Sequence, residues 1–320
     1  MSEAALLEVL DALADGELHS GETLAQRFGI SRAALAKRID HLRDWGVALG
    51  AQAGAGYRLA LPLERLDGQR IRVQGLRIAV LTSTDSTNTQ LLAADAAQDP
   101  QMLFAERQTA GRGRRGRSWV SPFGCNLYGS MAYSFTQWPP RLTALPLAMA
   151  VALARVVEAA GLPEVGIKWP NDLHVDGKKL AGILMETRGE AGGACRVVVG
   201  VGLNLALAAE QASAITQPWT GLAAELTARG RPMPSRNVLA ASLARELYAA
   251  LGHFAGHGFA PFAAEWKRRD LLADRSVTVD ATPTVQGIAR GVDADGGLLI
   301  DTVQGRIAVH AGDVSVRAAA

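Results

Sequence analysis

With 320 residues, 48% hydrophobic and 20% charged, and a net charge of +2, the chain reads as a soluble globular protein of two or three domains, not as a disordered or fibrous one. This near-balance of charge does not predict a polyanion partner; only local clustering does. The start, M-S-E-A-A-L-L-E, lacks the basic residues of a signal peptide, and the longest apolar run, residues 142–154, contains Pro146 and falls short of a bilayer span. A cytoplasmic protein with no membrane partner is expected. Cys125 and Cys195 lie far apart with no C-x-x-C spacing, as expected of two small buried residues in a reducing compartment.

Leu6, Leu7, Leu10 and Leu13 recur at helical spacing and predict a first helix ending near Gly16. Ser20 can cap a second helix that Gly29 stops, and Ser31 a third with Leu35, Ile39 and Leu42 on one face. Two helices joined by a short G-I-S turn form a helix-turn-helix. Strands over residues 47–50 and 57–59, with an Ala/Gly-rich turn between them, predict a wing. In such a unit the third helix enters the major groove of DNA, with Ser31, Arg32, Lys37 and Arg38 as the polar candidates. Residues 1–62 hold six Lys/Arg against eight Asp/Glu, a net of −2, while residues 31–45 hold four against two, a net of +2. A small protein-binding helical domain is the competing reading. Charge this thin would need a dimer to gather enough phosphate contacts.

Residues 63–75 read as a polar link. A strand over 76–81 leads into T-S-T-D-S-T-N, residues 82–88, where Ser86 can cap a helix or, with its neighbours, serve a polar, uncharged ligand group. A strand over 102–106 feeds the sequence A-E-R-Q-T-A-G-R-G-R-R-G-R-S-W, residues 105–119. From Arg107 to Trp119 it carries five arginines, three glycines and no acid. Such a loop repels itself and calls for an anion; its backbone N–H groups can form a concavity and its guanidinium forks suit carboxylate and phosphate oxygens. Gly111, Gly113 and Gly116 match G-x-G-x-x-G, but Trp119, Pro122 and Gly124 discourage the helix that a dinucleotide fingerprint requires, and no acid follows at the right distance. A solvated loop touching nucleic acid phosphates is the other plain reading.

A strand over 127–135 and a buried helix over 142–159 follow. Next comes V-G-I-K-W-P-N-D-L-H-V-D-G-K-K-L-A-G-I-L-M-E-T-R-G, residues 165–189. Asp176-Gly177 between apolar strands predicts a two-residue hairpin turn. Its register sets Val175 opposite Lys178, His174 opposite Lys179 and Asp172 opposite Ala181, so Lys179 and Asp172 project on one side. Pro170 demands a strand break. A cation, an amide and a carboxylate thus gather around a kink, which suits charge building up on a phosphoryl or acyl-phosphate group; an ordinary surface hairpin is the alternative, with His174 as a plain strand residue. A strand over 195–205 ends in G-V-G-L-N, where glycine lets a flat ligand lie against the backbone. Residues 207–219 read as a loop with one apolar anchor, Trp219, and a helix covers 236–251. Short strands over 276–280, 284–291, 298–301, 306–310 and 314–317 predict a small β-barrel or sandwich.

In this order the motifs S-T-N (residues 86–88), G-R-G-R-R-G-R (111–117), K-W-P-N-D (168–172), K-L-A-G-I-L (179–184) and G-V-G-L-N (200–204), with the N-terminal S-R-A-A-L-A-K-R-I-D helix, resemble the bifunctional biotin–protein ligase and biotin operon repressor family. The resemblance spans nearly the whole chain. It implies an α+β protein with a winged helix-turn-helix over 1–62, a central mixed-sheet α/β catalytic domain of class II synthetase type over 63–268, and an SH3-like barrel over 269–320. It implies that biotin and ATP, with Mg²⁺, give biotinyl-5′-adenylate, and that biotin then passes to a lysine of a biotin carboxyl carrier protein. The adenylate-bound homodimer would bind operator DNA. By the same resemblance Ser86, Thr87, Asn88 and Gln108 would bind biotin's ureido ring and neighbouring groups. Arg112, Gly113 and Arg114 would hold the carboxylate and α-phosphate, and Lys179 would stabilise charge there. Trp119 would pack on adenine. Lys168, Asn171 and Asp172 would serve the nucleotide or the attacking lysine, with Arg117, Asn204 and Trp219 also on the adenylate; Lys179, Arg114 and Asp172 form the catalytic set, and the metal ligands stay unassigned. A ligand-sensing repressor without chemistry and a lipoate-attaching ligase are the rival readings.

Overall fold

The computed structural model describes all residues except 53, 164, 190–192, 281–282, 311–314 and 319–320. Helices α1 (Glu3–Ala12), α2 (Gly21–Arg27) and α3 (Arg32–Asp44) precede a hairpin of β1 (Leu49–Gln52) and β2 (Gly56–Leu59). Ser20 and Ser31 cap α2 and α3 by accepting from the Thr23 and Ala34 backbone N–H groups. Leu6, Leu10, Leu24, Leu35, Ile39 and Leu42 form one buried cluster, the core that the helical periodicity foretold. The wing starts at Leu49 rather than Val47, which is spent instead in that core. Phe123, far beyond the wing in sequence, completes the cluster and stacks on Trp45 with ring centroids 5.4 Å apart.

The central unit holds β3 (Arg77–Leu81), α4 (Thr87–Ala93), β4 (Gln101–Ala105), β5 (Leu127–Phe135), α5 (Leu145–Ala159), β6 (Gly166–Lys168), β7 (Asp172–Val175), β8 (Lys178–Gly189), β9 (Cys195–Leu203), α6 (Ala209–Ala212), α7 (Leu222–Ala228), α8 (Arg236–His257) and α9 (Ala260–Arg269). Its seven strands run in the order β3-β4-β5-β9-β8-β7-β6; β3 and β4 are parallel and the remaining pairs antiparallel. The alternation along β9 divides the sheet's two faces. Val197, Val199 and Val201 point into the main core with α5 and α8, while Val198 packs under α4 with Leu91. Gly200 and Gly202 share that second face, where the missing side chains leave room.

The buried helix expected over 142–159 is found as α5, with a single tighter turn, Leu142–Ala144, before it. Leu142–Ala159 is long and apolar enough by composition to cross a membrane, but Leu145, Leu147, Val151, Leu153 and Val157 are fully or almost fully buried against the sheet and α8, as in a core helix. Burying each such aliphatic side chain contributes roughly 1.5–3 kcal/mol. The 207–219 segment is not plain loop either: α6 lies within it, and Ala212 is buried there alongside the half-buried Trp219. Cys195 is buried and Cys125 partly so; both are free, and burial pushes the Cys125 thiol up to about 11.

The C-terminal strands β10 (Ser276–Asp280), β11 (Val285–Val292), β12 (Leu298–Thr302), β13 (Gly305–Val309) and β14 (Ser315–Ala318) form a five-stranded antiparallel sheet in the order β13-β12-β11-β10-β14. The last strand lies one residue later than expected, and Val314 falls outside the described residues. Val277, Val279, Leu298 and Ile300 join the main core. The β11–β12 turn also reaches the central unit, where Trp169 Nε1 donates to Gly296 O at 3.0 Å.

Candidate functional site

A cavity of about 290 Å³ opens on the α4 face of the sheet. Its floor is glycine. Gly182 pairs with Gly202 across β8 and β9, and a Cβ at Gly202 would lie 2.3 Å from the Trp119 ring. A Cβ at Gly200 would lie 2.3 Å from Asn88 Oδ1. Any larger residue at either position would displace the side chain resting there.

One wall is the Ser86, Thr87 and Asn88 cluster at the start of α4, all buried. Ser86 stands at the N-cap position but its hydroxyl makes no capping bond, so the capping reading of Ser86 does not hold. Gln108 Oε1 accepts from the Thr87 N–H at 2.9 Å, and Gln108 Nε2 donates to Ser121 Oγ at 3.2 Å. Buried Ser130 bonds both Thr87 Oγ1, at 2.6 Å, and Asn88 Oδ1, at 2.5 Å. These are short neutral donors and acceptors around a space, the chemistry of a polar, uncharged ligand group.

Above lies the arginine loop. It is not left to repel itself. Gly113 N donates to Arg117 O at 2.7 Å and Trp119 N to Gly111 O at 2.8 Å, folding it into a small hairpin. Arg112 pairs with Glu186 at 2.7 Å, Arg115 with Asp280 of the C-terminal sheet at 3.7 Å, and Arg114 Nη1 donates to Asn171 Oδ1 at 3.2 Å. The loop has no acid of its own, but acids and amides distant in sequence meet part of its need for an anion. No helix of the dinucleotide kind follows the glycines, since the next element is β5.

The third wall is the kinked hairpin. Asp176 and Gly177 both take positive φ, 47° and 76°, as a two-residue hairpin turn requires. Val175 pairs with Lys178 and His174 with Lys179, as expected, but Asp172 faces Gly182, not Ala181. A bulge near Leu180 supplies the extra residue; Leu180 and Ala181 are both fully buried, so packing fixes it. Lys179 and Asp172 still project together, with Nζ 2.7 Å from Oδ2. Lys179 Nζ also lies 5.3 Å from the centre of the Trp119 ring. His174, read as a plain strand residue, lines the cavity instead, and burial lowers its pKa. Lys168, Asn171 and Arg117 line it too.

Models of three known families match the chain in order. A helix-turn-helix domain matches residues 6–58, the biotin/lipoate A/B protein ligase family residues 78–204, and the biotin protein ligase C-terminal domain residues 274–317. The bifunctional ligase/repressor BirA of Salmonella typhimurium is 42% identical over 300 residues, covering 92% of this chain and 92% of its own. The chain belongs to the bifunctional biotin ligase/repressor family. The biotin–[acetyl-CoA-carboxylase] ligase of Mycobacterium tuberculosis is 35% identical, covering 74% of this chain and 88% of its own. Among solved structures, the biotin protein ligase of Aquifex aeolicus in complex with biotin and ATP aligns with a TM-score of 0.61 at 27% identity, covering 76% of this chain and 99% of that one.

Within this ligase/repressor not every expected residue reaches the cavity. Asn204 is buried and donates to Lys179 O at 3.4 Å, and its own carbonyl accepts from Leu222 N at 3.0 Å; it pins the strand that carries Lys179. Trp219 pairs with Lys179 through the backbone, while Gln217, two residues earlier, lines the cavity. Sequence reasoning also missed Val316, which the C-terminal sheet brings to the cavity. Among the described residues no group of three or more His, Cys, Asp or Glu is placed to hold a metal ion.

On the helix-turn-helix, Ser31, Arg32 and Lys37 are exposed. Arg38 is half-buried and donates to Ala5 O at 3.3 Å, which ties α3 to α1. Of the four candidates, Ser31, Arg32 and Lys37 thus stand at the surface of the domain.

Proposed function

We propose that this ligase activates biotin with ATP to biotinyl-5′-adenylate and pyrophosphate, then passes biotin to a lysine of a biotin carboxyl carrier protein. The observation that carries this is the convergence of a neutral polar cluster, an arginine loop and the Lys179–Asp172 pair on one glycine-floored cavity. The order of the walls suits the substrate. Ser86, Thr87, Asn88 and Gln108 would take the ureido ring, and Gly200 and Gly202 give Asn88 and Trp119 the room to stand against the strands beside it. Lys179, with Gly113, Arg112 and Arg114 above it, would neutralise charge as the carboxylate attacks the α-phosphate. Trp119, Arg117, Lys168 and Asn171 would hold the nucleotide, with Trp219 and Asn204 shaping its edge. Asp172 holds Lys179 in place and would meet the incoming amine. Magnesium would travel with the phosphates of ATP, the usual mode for an ion bound by few protein carboxylates; no protein ligand is assigned and no step depends on one. Incubation with biotin, ATP and Mg²⁺ is expected to release pyrophosphate and to leave an adenylate visible by mass spectrometry. Preference for lipoate in competition, or no pyrophosphate at all, would replace this reading with one of its rivals.

The proposed division is a winged helix over 1–62, a catalytic domain over 63–268 and a C-terminal domain over 269–320, in a cytoplasmic protein. Arg114→Gly is expected to weaken retention of the adenylate more than its synthesis. Losing a charge-assisted contact to phosphate costs about 2–3 kcal/mol, and the escaping anhydride would acylate lysines of a bystander protein. Labelling of added albumin checks this; a level no higher than wild type argues against the loop as a lid.

Operator binding is proposed to follow the adenylate. Ligand would settle the arginine loop and the 207–219 segment together, an ordering switch, and two subunits would pair through an isologous interface. A single helix-turn-helix domain of net charge −2 holds few phosphates, so a pair is needed. Biotin with ATP is expected to raise both dimer fraction and operator affinity, and biotin alone to do so less. Sedimentation and DNA titration would show it; equal behaviour with and without the adenylate would sink the coupling but leave the ligase reading intact.

A further inference from the structure

Glu186 on β8 lies outside the cavity lining, yet one of its oxygens serves two residues that line it. Oε2 accepts from Asn88 Nδ2 at 2.8 Å and from Arg112 Nη2 at 2.7 Å. The Asn88 side chain is 3% exposed, and nearly all its hydrogen-bonding capacity is spent. Its Nδ2 also reaches Leu184 O at 3.3 Å, and its Oδ1 accepts from Ser130 Oγ at 2.5 Å. One lone pair of Oδ1 is left.

An ionised carboxylate only accepts, so it has to be met by the NH₂ end of the Asn88 amide. Turned round, the amide would set its own oxygen against Glu186 and its NH₂ against the Ser130 hydroxyl. Glu186, with the longer contact to Leu184 O, therefore fixes the NH₂ end of Asn88 and leaves Oδ1 at the Ser130 side. The same oxygen anchors the arginine loop. The Arg112–Glu186 pair has side chains 40% and 27% exposed, and a pair that open contributes little stability alone. Its value is geometric, because it places the loop on the carboxylate that orients Asn88. Arg112 is thereby held at the Asn88 end of the cavity.

We propose that Glu186 is a positioning residue that makes Asn88 present an acceptor, so that the site selects a ligand with an N–H donor at that point, and that it docks Arg112 so that the loop closes over the same end. The proposal rests on the biotin reading above, in which that donor is a ureido N–H. Arg112 then acts as a latch to Glu186 in addition to, or in place of, a contact to the carboxylate.

The test measures the KM for biotin, the kcat of adenylate formation, and selectivity between biotin and an analogue in which one ureido N–H is replaced by oxygen. Glu186→Ala is expected to raise KM about 10-fold to 100-fold, the scale for losing a hydrogen bond to a charged group, with a much smaller change in kcat. Glu186→Gln keeps the shape but can offer either an oxygen or an NH₂, so Asn88 keeps its orientation only through the longer 3.3 Å contact to Leu184 O. Its preference for biotin over the analogue should fall about 10-fold, a readout that a merely structural role would not move. If the alanine variant does not fold, the glutamine variant alone decides. Wild-type protein that neither binds nor activates biotin would overturn the ligase reading and this inference with it. Wild-type protein that binds and selects, with KM and selectivity unchanged in Glu186→Gln, would overturn the inference alone.

Discussion

Lys179→Met is expected to slow adenylate formation by about 10²-fold or more, the usual scale for losing one preorganised charge-stabilising donor, and to leave the fold intact. Lys179 lies in the cavity with its side chain only 14% exposed, held 2.7 Å from Asp172 Oδ2 and 5.3 Å from the centre of the Trp119 ring. Each contact is made before any substrate arrives, so little reorganisation is needed when negative charge grows between carboxylate and α-phosphate. A flexible surface lysine would lose much of that advantage to water. Methionine fills the same stem volume, and Asp172, 27% exposed, can be met by solvent. Pyrophosphate release in a single turnover gives the rate, and thermal melting checks the fold. Adenylation at the wild-type rate would remove Lys179 from the mechanism.

Local signals in the sequence located much of this site. The Asp176-Gly177 turn, the break at Pro170 and the apolar strand ending in G-V-G-L-N depend on neighbours within a few residues, and each is found where its pattern sets it. The bulge near Leu180 was not legible, because it follows from which side chains the core accepts, not from the turn. Glu186 was missed for another reason. Its partners Asn88 and Arg112 stand 98 and 74 residues away, and a single glutamate in a strand carries no mark of them. Phe123 was missed in the same way: nothing in S-P-F-G-C says that its ring completes the core of the N-terminal helices. The residues that pattern reading misses here are those joined through the fold, and one of them, Glu186, holds the arginine loop through Arg112.

The base of that loop supplies the second large effect. Arg236→Met is expected to destabilise the central unit by about 3–5 kcal/mol, the cost of breaking a buried ion pair by removing one partner. Arg236 opens α8 and is 7% exposed; Glu106, 3% exposed, stands at the loop's first residue. Arg236 Nη2 donates to Glu106 Oε2 at 2.9 Å and to Asn126 O at 2.8 Å, so it grips the chain just before the loop and just after it. Its Nη1 donates to Glu64 O, and Glu106 Oε1 also accepts from Leu66 N, both at 2.5 Å. Without the guanidinium, Glu106 keeps only one N–H donor in a place water scarcely reaches. The melting temperature of the central unit should fall by roughly 6–20 °C, taking about 2–4 °C per kcal/mol for a unit of that size. Replacing Glu106 by Gln in the same protein should recover a large part of the loss, because it removes the uncompensated charge and keeps an acceptor for Leu66 N. A double variant no more stable than Arg236→Met would mean that the loss comes from packing of the arginine stem and not from the charge it leaves behind.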